Sequence, residues 1–348
     1  DSARVIDEVR FKGQENGASL GRYREGVFGW YALTPTSNTQ NALPALHPVL
    51  SEIMYRPPDH PTNNVRHEYI EILNPATNDV DLWNAEGPWR LDGGVEFTFP
   101  SNTSLAAGTN LLVVSFDPTN TALLNDFHST YGLTQGQVTV LGPYSGQLNN
   151  RGERVALERP QAEDVLGEGG SWVIVDEAIY FHQAPWYIES DGTGLSLHRK
   201  CTRWDGNDPA NWYVAPAPSP GAPVPVYGPP GIPAWWFPET DPGWTNNFAL
   251  HALADADLDG MPTWMEYIAG THPTNPMSVS HLTITHTGGV TTVGFDLIAA
   301  GRKLNGLERF HTLQSSLDLE ADVFMNLPGA ADLLGADTHF DLSVSNAP

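Results

Sequence analysis

Short apolar runs that each end at turn residues are the feature that most constrains this chain. Residues 46–74 show the pattern first, with apolar runs at 49–54 and 69–73 on either side of a proline-rich loop. Proline has no N–H to donate to a strand ladder, so the loop prolines must lie outside the pairing. Similar runs predict further strands at 80–94, 95–99, 111–116, 138–142, 154–158, 171–180 and 195–199. Many short strands separated by turns predict a mainly β protein built around a β-sandwich.

Two segments of this region have their own patterns. The run LLVVSF at 111–116 is apolar almost throughout, which predicts a strand buried on both faces. Residues 119–131 place apolar side chains at near-helical spacing, so a short helix is predicted there. Glu68 and Glu71 interrupt the second apolar run, so we expect each face of that strand to carry some charge.

Length and charge limit the classes of protein that the chain can belong to. With 348 residues, it is long enough for two or three domains of roughly 150 residues each. It has 41 acidic residues against 17 basic ones, a formal net charge of −24. Nucleic acids and anionic membranes are bound by basic surfaces, so the charge argues against both as partners. The same charge favours cations and solubility.

Other global features exclude less. Cys201 is the only cysteine, so no internal disulfide can form, and a lone cysteine does not settle the redox compartment. No apolar run approaches the roughly 18 residues of a membrane span. The sequence starts at Asp1 without Met, and we expect a processed or excised piece of a longer precursor.

Residues 1–42 repeat, in order, three blocks from the end of the main β-region. VIDEVRF at 5–11 matches IVDEAIY at 174–180. The other two blocks match Ser19-Leu20 and Arg22 with Ser196-Leu197 and Arg199, and Trp30-Tyr31 with Trp212-Tyr213. We therefore expect residues 1–42 to be the closing strands of a second copy of the domain at 43–226. Orphan strands expose unpaired N–H and C=O groups, so they must lie against the main domain or be completed by another chain.

Eight motifs of residues 43–226 occur in a familiar order: SEIMYRPP, EYIEILNP, VDLWN, FTFP, LAAGTNLLVV, GQLNNRGERVALE, DGTGLSLHR and NDPANW…PSPGAP. Together they resemble a lamin-tail domain, most closely the bacterial version found in large secreted proteins, often beside CotH-like kinase modules. The resemblance implies an immunoglobulin-like β-sandwich that serves as a scaffold or binding module, and it brings no catalytic residues. The chromatin contacts of nuclear lamins are not implied, because the chain lacks the basic surface that they need.

A stretch rich in proline and aromatic residues follows at 214–244, and we assign 227–244 as a linker. Its proline content favours extended polyproline II geometry and a semi-rigid spacer. Two roles are open for its large apolar side chains: docking on a neighbouring domain, or an exposed platform for sugar or a partner. These side chains are Trp235, Trp236, Phe237 and Trp244.

Residues 245–280 contain the sharpest motif, an EF-hand-like loop that starts at Asp255. Asp255, Asp257, Asp259 and Glu266 occupy positions 1, 3, 5 and 12 of such a loop, with Gly260 at position 6 for the sharp turn. Alternating carboxylates converge on a hard cation, and the glutamate can chelate it with both oxygens. Met261 offers its carbonyl at position 7, and Thr263 stands at position 9, where a water often mediates. The spacing therefore predicts a Ca²⁺ site between an entering helix with Phe248, Leu250 and Leu253 and an exiting helix packed by Trp264, Tyr267 and Ile268.

The segment after the loop resembles a known module. GTHPTNPMS at 270–278 is similar to the end of the calcium repeats of secreted bacterial proteins related to dockerin and thrombospondin-type repeats. His272 stands where that pattern has aspartate, which removes the support for a ligand at 272. Two alternating runs joined by Gly288-Gly289 then predict a hairpin in a small β-domain at 281–348. Residues 309–319 resemble, weakly, a strand that often follows such calcium modules.

No sequence pattern supports an enzyme. His67 and Glu68 superficially resemble part of a metalloprotease HExxH motif, but the second histidine is missing and the context is a strand. No GxSxG, Walker A or GxGxxG motif occurs. Cys201 has basic neighbours that lower a thiol pKa, yet no base is identifiable, which favours a structural or incidental cysteine.

These features together predict a non-enzymatic extracellular or cell-surface segment that connects or displays other parts. A protein partner or a neighbouring copy is expected through residues 1–42 or an edge of the sandwich. Two alternatives stay open: a carbohydrate- or envelope-binding module of a larger secreted hydrolase, and a subunit of a surface fibre or assembly.

Overall fold

A computed structural model describes the chain at residues 14–22, 30–39, 41, 45–57, 64–163, 167, 169–187, 190, 193–202, 205–214, 220–221, 226–227, 231–244, 246–299, 309–315 and 325–345. The first repeat block at 5–11 and most of 215–230 lie outside the described residues, as does 316–319 of the weak C-terminal motif. The chain divides into two compact units, residues 1–222 and 223–348. Within the described part, no helix is both long enough and apolar enough to cross a bilayer.

The first unit contains seventeen described strands and one α-helix. The strands before the helix are β1 (Ser19–Gly21), β2 (Tyr31–Leu33), β3 (Val49–Met54), β4 (Tyr69–Leu73), β5 (Val80–Asp81), β6 (Trp83–Asn84), β7 (Gly87–Pro88), β8 (Arg90–Gly93), β9 (Val95–Thr98), β10 (Ser104–Leu105) and β11 (Asn110–Val114). After them come α1 (Thr121–Tyr131), β12 (Thr139–Leu141), β13 (Ser145–Gly146), β14 (Gly152–Gln161), β15 (Ser171–Phe181), β16 (Leu197–Arg199) and β17 (Trp212–Val214). Short 3-10 helices lie at Asn64–His67 and Pro209–Asn211.

Two sheets form the predicted sandwich. One has six strands in the order β12-β11-β4-β3-β16-β17, and the other has five in the order β13-β9-β8-β14-β15. All neighbouring strands are antiparallel except β11 and β12, which run parallel. The inner faces of the two sheets bury one core, which includes Leu50, Ile70, Leu111, Val155 and Trp212. Burial of such side chains away from water is the main stabilising term of the sandwich.

The outer face of the six-stranded sheet carries a second, smaller core under α1. Phe127 on the helix is fully buried, and it packs with Met54, Tyr69, Leu112 and Val114. Because β11 alternates between the two cores, both of its faces are buried, and the prediction for 111–116 is confirmed there. The predicted helix is also confirmed: the Asn120 side chain caps its first turn, and Gly132 ends it in the left-handed region at φ 63°.

A short hairpin in the N-terminal segment repeats the geometry of β16 and β17. In the hairpin Gly21 pairs with Tyr31, and in the main sheet His198 pairs with Tyr213, which is the same register at the matched positions. The Arg22 guanidinium lies 4.8 Å from the centre of the Trp30 ring. Its counterpart Arg199 lies 5.5 Å from the centre of the Trp212 ring. The internal repeat read from the sequence therefore has a counterpart in strand pairing.

The described residues of the second unit form three short helices and several small sheets. Its elements are β18 (Val226–Tyr227), β19 (Ile232–Pro233), α2 (Trp236–Thr240), α3 (Phe248–Leu253), α4 (Thr263–Ala269), β20 (Leu282–Thr287), β21 (Val290–Leu297), β22 (Phe310–His311), β23 (Gln314–Ser315), β24 (Met325–Asn326), β25 (Leu333–Leu334) and β26 (Thr338–Ser345). The largest sheet has the order β20-β21-β26, which we call the terminal sheet. The predicted hairpin is confirmed, with Gly288 and Gly289 at positive φ in its turn.

Residues 231–244, which form most of the described part of the predicted linker, differ from an extended spacer. They form β19 and α2, and their four large aromatic side chains are between 0% and 7% exposed. Phe237 stacks on Phe248 with ring centres 4.9 Å apart, and Trp236 meets Tyr267 edge-on at 5.2 Å. The aromatic residues fold this stretch onto α3 and α4, because burial of large rings outweighs the extended preference of the prolines. Because these side chains are buried, the alternative of an exposed aromatic platform for sugar is wrong.

Candidate metal centre

The acidic loop connects α3 and α4, as the sequence predicts. Its backbone turns sharply at two positions in the left-handed region, Leu258 at φ 64° and Gly260 at φ 99°. Glycine adopts that conformation without steric cost, which explains its presence at position 6 of the loop. The helix faces differ from the prediction in one respect: Leu250, Leu253 and Ile268 are at least half exposed.

The three aspartates share one arrangement, in which one carboxylate oxygen is used by the loop itself. The N–H groups of Gly260, Asp259 and Met261 donate to Asp255 Oδ2 (2.9 Å), Asp257 Oδ1 (3.3 Å) and Asp259 Oδ1 (2.8 Å), respectively. The second oxygen of each aspartate is buried and has no hydrogen-bond partner. One ligand atom from each aspartate lies within 4.8 Å of the others. The loop thus holds three carboxylates together against their mutual repulsion.

Glu266 is the fourth predicted carboxylate, and it belongs to α4. Its side chain is fully buried; Oε1 accepts a hydrogen bond from the Thr271 hydroxyl at 3.2 Å, and Oε2 is buried without a partner. Burial, followed by the negative charges of Asp257, Asp259 and Asp255, raises the pKa of Glu266 to about 7. The 4.8 Å group of aspartates does not include Glu266, although all four carboxylates interact electrostatically.

The two remaining predicted ligands have different surroundings. Met261 lies in the loop with its N–H bonded to Asp259, and its carbonyl stays a predicted ligand. Thr263 is fully buried, and both its N–H (2.8 Å) and its hydroxyl (3.0 Å) donate to the carbonyl of Ala254. These two bonds close the base of the loop, and the water-mediated contact of Thr263 at position 9 stays a prediction.

The residues present fit a hard divalent cation. Four buried carboxylate oxygens without partners are unusual, because buried polar atoms are nearly always hydrogen-bonded. Oxygen donors of this kind suit calcium, which takes six to eight oxygen ligands in a flexible geometry. A bound cation would satisfy these oxygens and reverse the repulsion that raises the Glu266 pKa.

The sandwich holds another cluster of polar side chains, around Ser196, His198 and Glu52. Nε2 of His198 lies 2.8 Å from Ser196 Oγ and 3.1 Å from Glu52 Oε1, and all three residues are at most 5% exposed. A catalytic triad places the hydroxyl and the carboxylate on opposite ring nitrogens. Here both meet the same nitrogen, and the serine hydroxyl donates directly to the glutamate. This cluster therefore has the geometry of a buried network and lacks that of a nucleophile with its base.

The two catalytic candidates from the sequence, the His67-Glu68 pair and Cys201, are also held by structural contacts. Glu68 is buried, and its Oε2 accepts from the Tyr144 hydroxyl and from the Leu148 N–H, each at 3.0 Å. His67 ends a 3-10 helix, and its Nε2 lies 3.0 Å from Asp126 on α1. Cys201 is half-buried, and its N–H and carbonyl both pair with the Asn211 side chain.

Comparison with known proteins adds one finding for the first unit. No curated protein matches the chain significantly. Residues 43–169 match the family model of the Lamin Tail Domain, roughly a third of the chain. The matched range includes eight of the eleven strands of the two-sheet sandwich, and the other three, β15, β16 and β17, follow it. This part of the chain is therefore similar to lamin tail domains, and its two sheets agree with their immunoglobulin-like β-sandwich.

Proposed function

We propose that the chain is a non-enzymatic extracellular structural or adhesion segment, in which a lamin tail domain precedes a calcium-stabilised joint. One observation carries the proposal: each of the four carboxylates of the acidic loop has a buried oxygen without a hydrogen-bond partner. Such oxygens are costly unless a cation satisfies them. Asp255, Asp257, Asp259 and Glu266 would hold the ion, with Met261 through its carbonyl and Thr263 through a water.

The proposed location follows from the expected affinity. Single calcium loops of extracellular modules bind at about 10⁻⁴–10⁻³ M, which matches the calcium concentration outside cells. The net charge of −24 agrees with a protein that works among cations and away from nucleic acid. Bacterial origin, secretion and a neighbouring CotH-like kinase module belong to the same proposal, and they rest on the resemblance of the sequence motifs.

Limited proteolysis with and without calcium tests the proposed joint. Calcium should slow cleavage within 245–280, because the ion ties the loop to α4. Asp257→Asn should abolish this protection, whereas Asp81→Asn, a change of the same charge at an exposed residue of the sandwich, should keep it. Equal cleavage of the wild-type protein in calcium and in chelator would refute the joint.

A second candidate function is a subunit of a surface fibre or assembly. The hairpin of β1 and β2 favours it, because its register and its Arg22–Trp30 contact match those of β16 and β17. In the main domain, β16 also pairs with β3, so a complete second domain would need an equivalent strand beside β1. Sedimentation over a range of concentrations tests this: self-association that is lost on Leu20→Pro supports it, and a monomer at every concentration contradicts it.

A further inference from the structure

The Arg309 side chain joins the exit helix of the acidic loop to the terminal sheet. Its Nε donates to the carbonyl of Ile268 at 2.6 Å, and Nη2 donates to that of Tyr267 at 3.2 Å. On the other side, Nη1 donates to the carbonyls of Ala299 and, at 3.4 Å, Ile298. The first two carbonyls belong to α4, and the other two follow the end of β21. One guanidinium thus bridges two elements that are far apart in sequence.

The position of Arg309 satisfies the end of α4. The last carbonyls of a helix have no intrahelical partners, and the helix dipole makes that end negative. The Gly270 N–H donates to the carbonyl of Glu266 at 2.7 Å, and Arg309 donates to the carbonyls of the next two residues. Gly270 has φ 85°, and a Cβ there would lie 2.2 Å from Nη1 of Arg309. Glycine is required at 270 both for the helix end and for the approach of the guanidinium.

The backbone around Arg309 is fixed by the terminal β-region. The Gly335 N–H donates to the carbonyl of Arg309 at 2.8 Å, and the Ala336 N–H donates to that of Leu297 at 3.0 Å. Leu297 is the last residue of β21 and is buried. The guanidinium therefore extends from a well-anchored segment, and a movement of α4 would change its contacts with the end of β21.

We propose that Arg309 is a positioning residue that couples cation binding in the acidic loop to the stability of the terminal sheet. The proposal rests on the calcium binding proposed above. Glu266, the predicted ligand on α4, directly precedes Tyr267, whose carbonyl Arg309 holds. A cation that fixes Glu266 also fixes the last turn of α4. Because Arg309 is hydrogen-bonded to both α4 and the residues after β21, fixing α4 also stabilises the end of β21. Coupling between two sites is reciprocal, so the Arg309 contacts also strengthen cation binding.

Hydrogen exchange in calcium and in chelator, with calcium titration calorimetry, tests the coupling. In the wild type, calcium should slow amide exchange in α4 and also in β21 and β26. Arg309→Gln should keep the effect in α4, lose it in the sheet, and weaken calcium binding about fivefold, the lower end of typical coupling. Arg309→Lys should lose most of the sheet effect, since a single ammonium cannot replace a guanidinium fork across four carbonyls. Arg151→Gln, which removes the same charge from an exposed side chain, should behave like the wild type.

The outcomes separate this proposal from the one on which it rests. Calcium protection of α4 in the wild type without any effect on β21 and β26 overturns the coupling and leaves the calcium joint standing. A wild type that shows no calcium effect in α4 overturns the calcium joint itself. If Arg309→Gln unfolds the terminal sheet in both conditions, Arg309→Lys decides: a reduced sheet effect supports the coupling, and a sheet effect equal to that of the wild type overturns it.

Discussion

Replacement of Glu68 by glutamine should make the sandwich more stable at neutral pH. Glu68 directly precedes β4 and is 1% exposed, and its Oε2 accepts two hydrogen bonds from neutral donors. Burial raises the pKa of Glu68 to about 7, although the bonds from Leu148 and Tyr144 oppose this. Glutamine has nearly the same shape and can accept both bonds, but it never carries the charge.

The magnitude follows from the two pKa values. Folding raises the pKa of Glu68 from 4.5 to about 7, which at about 1.4 kcal/mol per pKa unit corresponds to about 3 kcal/mol. Between these two values the folded protein binds more protons than the unfolded chain, so the free energy of unfolding falls as pH rises. The stabilisation is present below about pH 4.5 and fully lost above about pH 7. Glu68→Gln should therefore match the wild type in acid and exceed it by up to about 3 kcal/mol above pH 7.

Native-state hydrogen exchange of the β4 amides, corrected for intrinsic rates, measures this difference in the sandwich alone. Glu96→Gln, on the exposed side of β9, is the matched control and should follow the pH profile of the wild type. Parallel profiles for Glu68→Gln and the wild type would refute the reasoning, because they would mean that Glu68 titrates alike in the folded and unfolded chain.

Two further substitutions test the packing of the β-sandwich and of the smaller core on its outer face. Asn74→Ala removes a fully buried amide whose Nδ2 donates to the carbonyls of Asn78 and Leu105, each at 2.9 Å. The free energy of unfolding measured in urea should fall by about 3 kcal/mol, and a fall below about 1 kcal/mol would contradict this role. Phe127→Ala removes the centre of the smaller core and should cost about 3–5 kcal/mol, with α1 exchanging its amides faster than β14; uniform exchange in both elements would contradict a separate core.

The parts of the fold that the sequence predicts are those with local signals. Alternating or continuous apolar runs located most strands of the sandwich, and the spacing of Leu123, Phe127 and Tyr131 located α1. The dipeptide Gly288-Gly289 fixed a hairpin, because both residues need positive φ in its turn. The acidic loop was equally local, since its three aspartates alternate within five residues and come together without help from the rest of the chain.

The remaining features depend on contacts that have no local signal. Glu52 and Glu71 are paired across β3 and β4, and the pairing depends on a register shift between Leu50 and Glu52. Burial together with the negative charge of Glu52 raises the pKa of Glu71 to about 7, a consequence of tertiary packing alone. Arg309 and Ile268 are 41 residues apart, so the sequence around Arg309 gives no sign of their hydrogen bond. Proline content suggested a spacer at 227–244, and aromatic packing overrode that preference.

Calorimetric titration of the intact protein with calcium tests the central claim most directly. The account predicts one ion bound with a dissociation constant of about 10⁻⁴–10⁻³ M, and a loss of at least about tenfold in affinity for Asp257→Asn. Asp81→Asn should bind calcium like the wild type. The absence of binding at millimolar calcium, or equal binding by Asp257→Asn and the wild type, would contradict it.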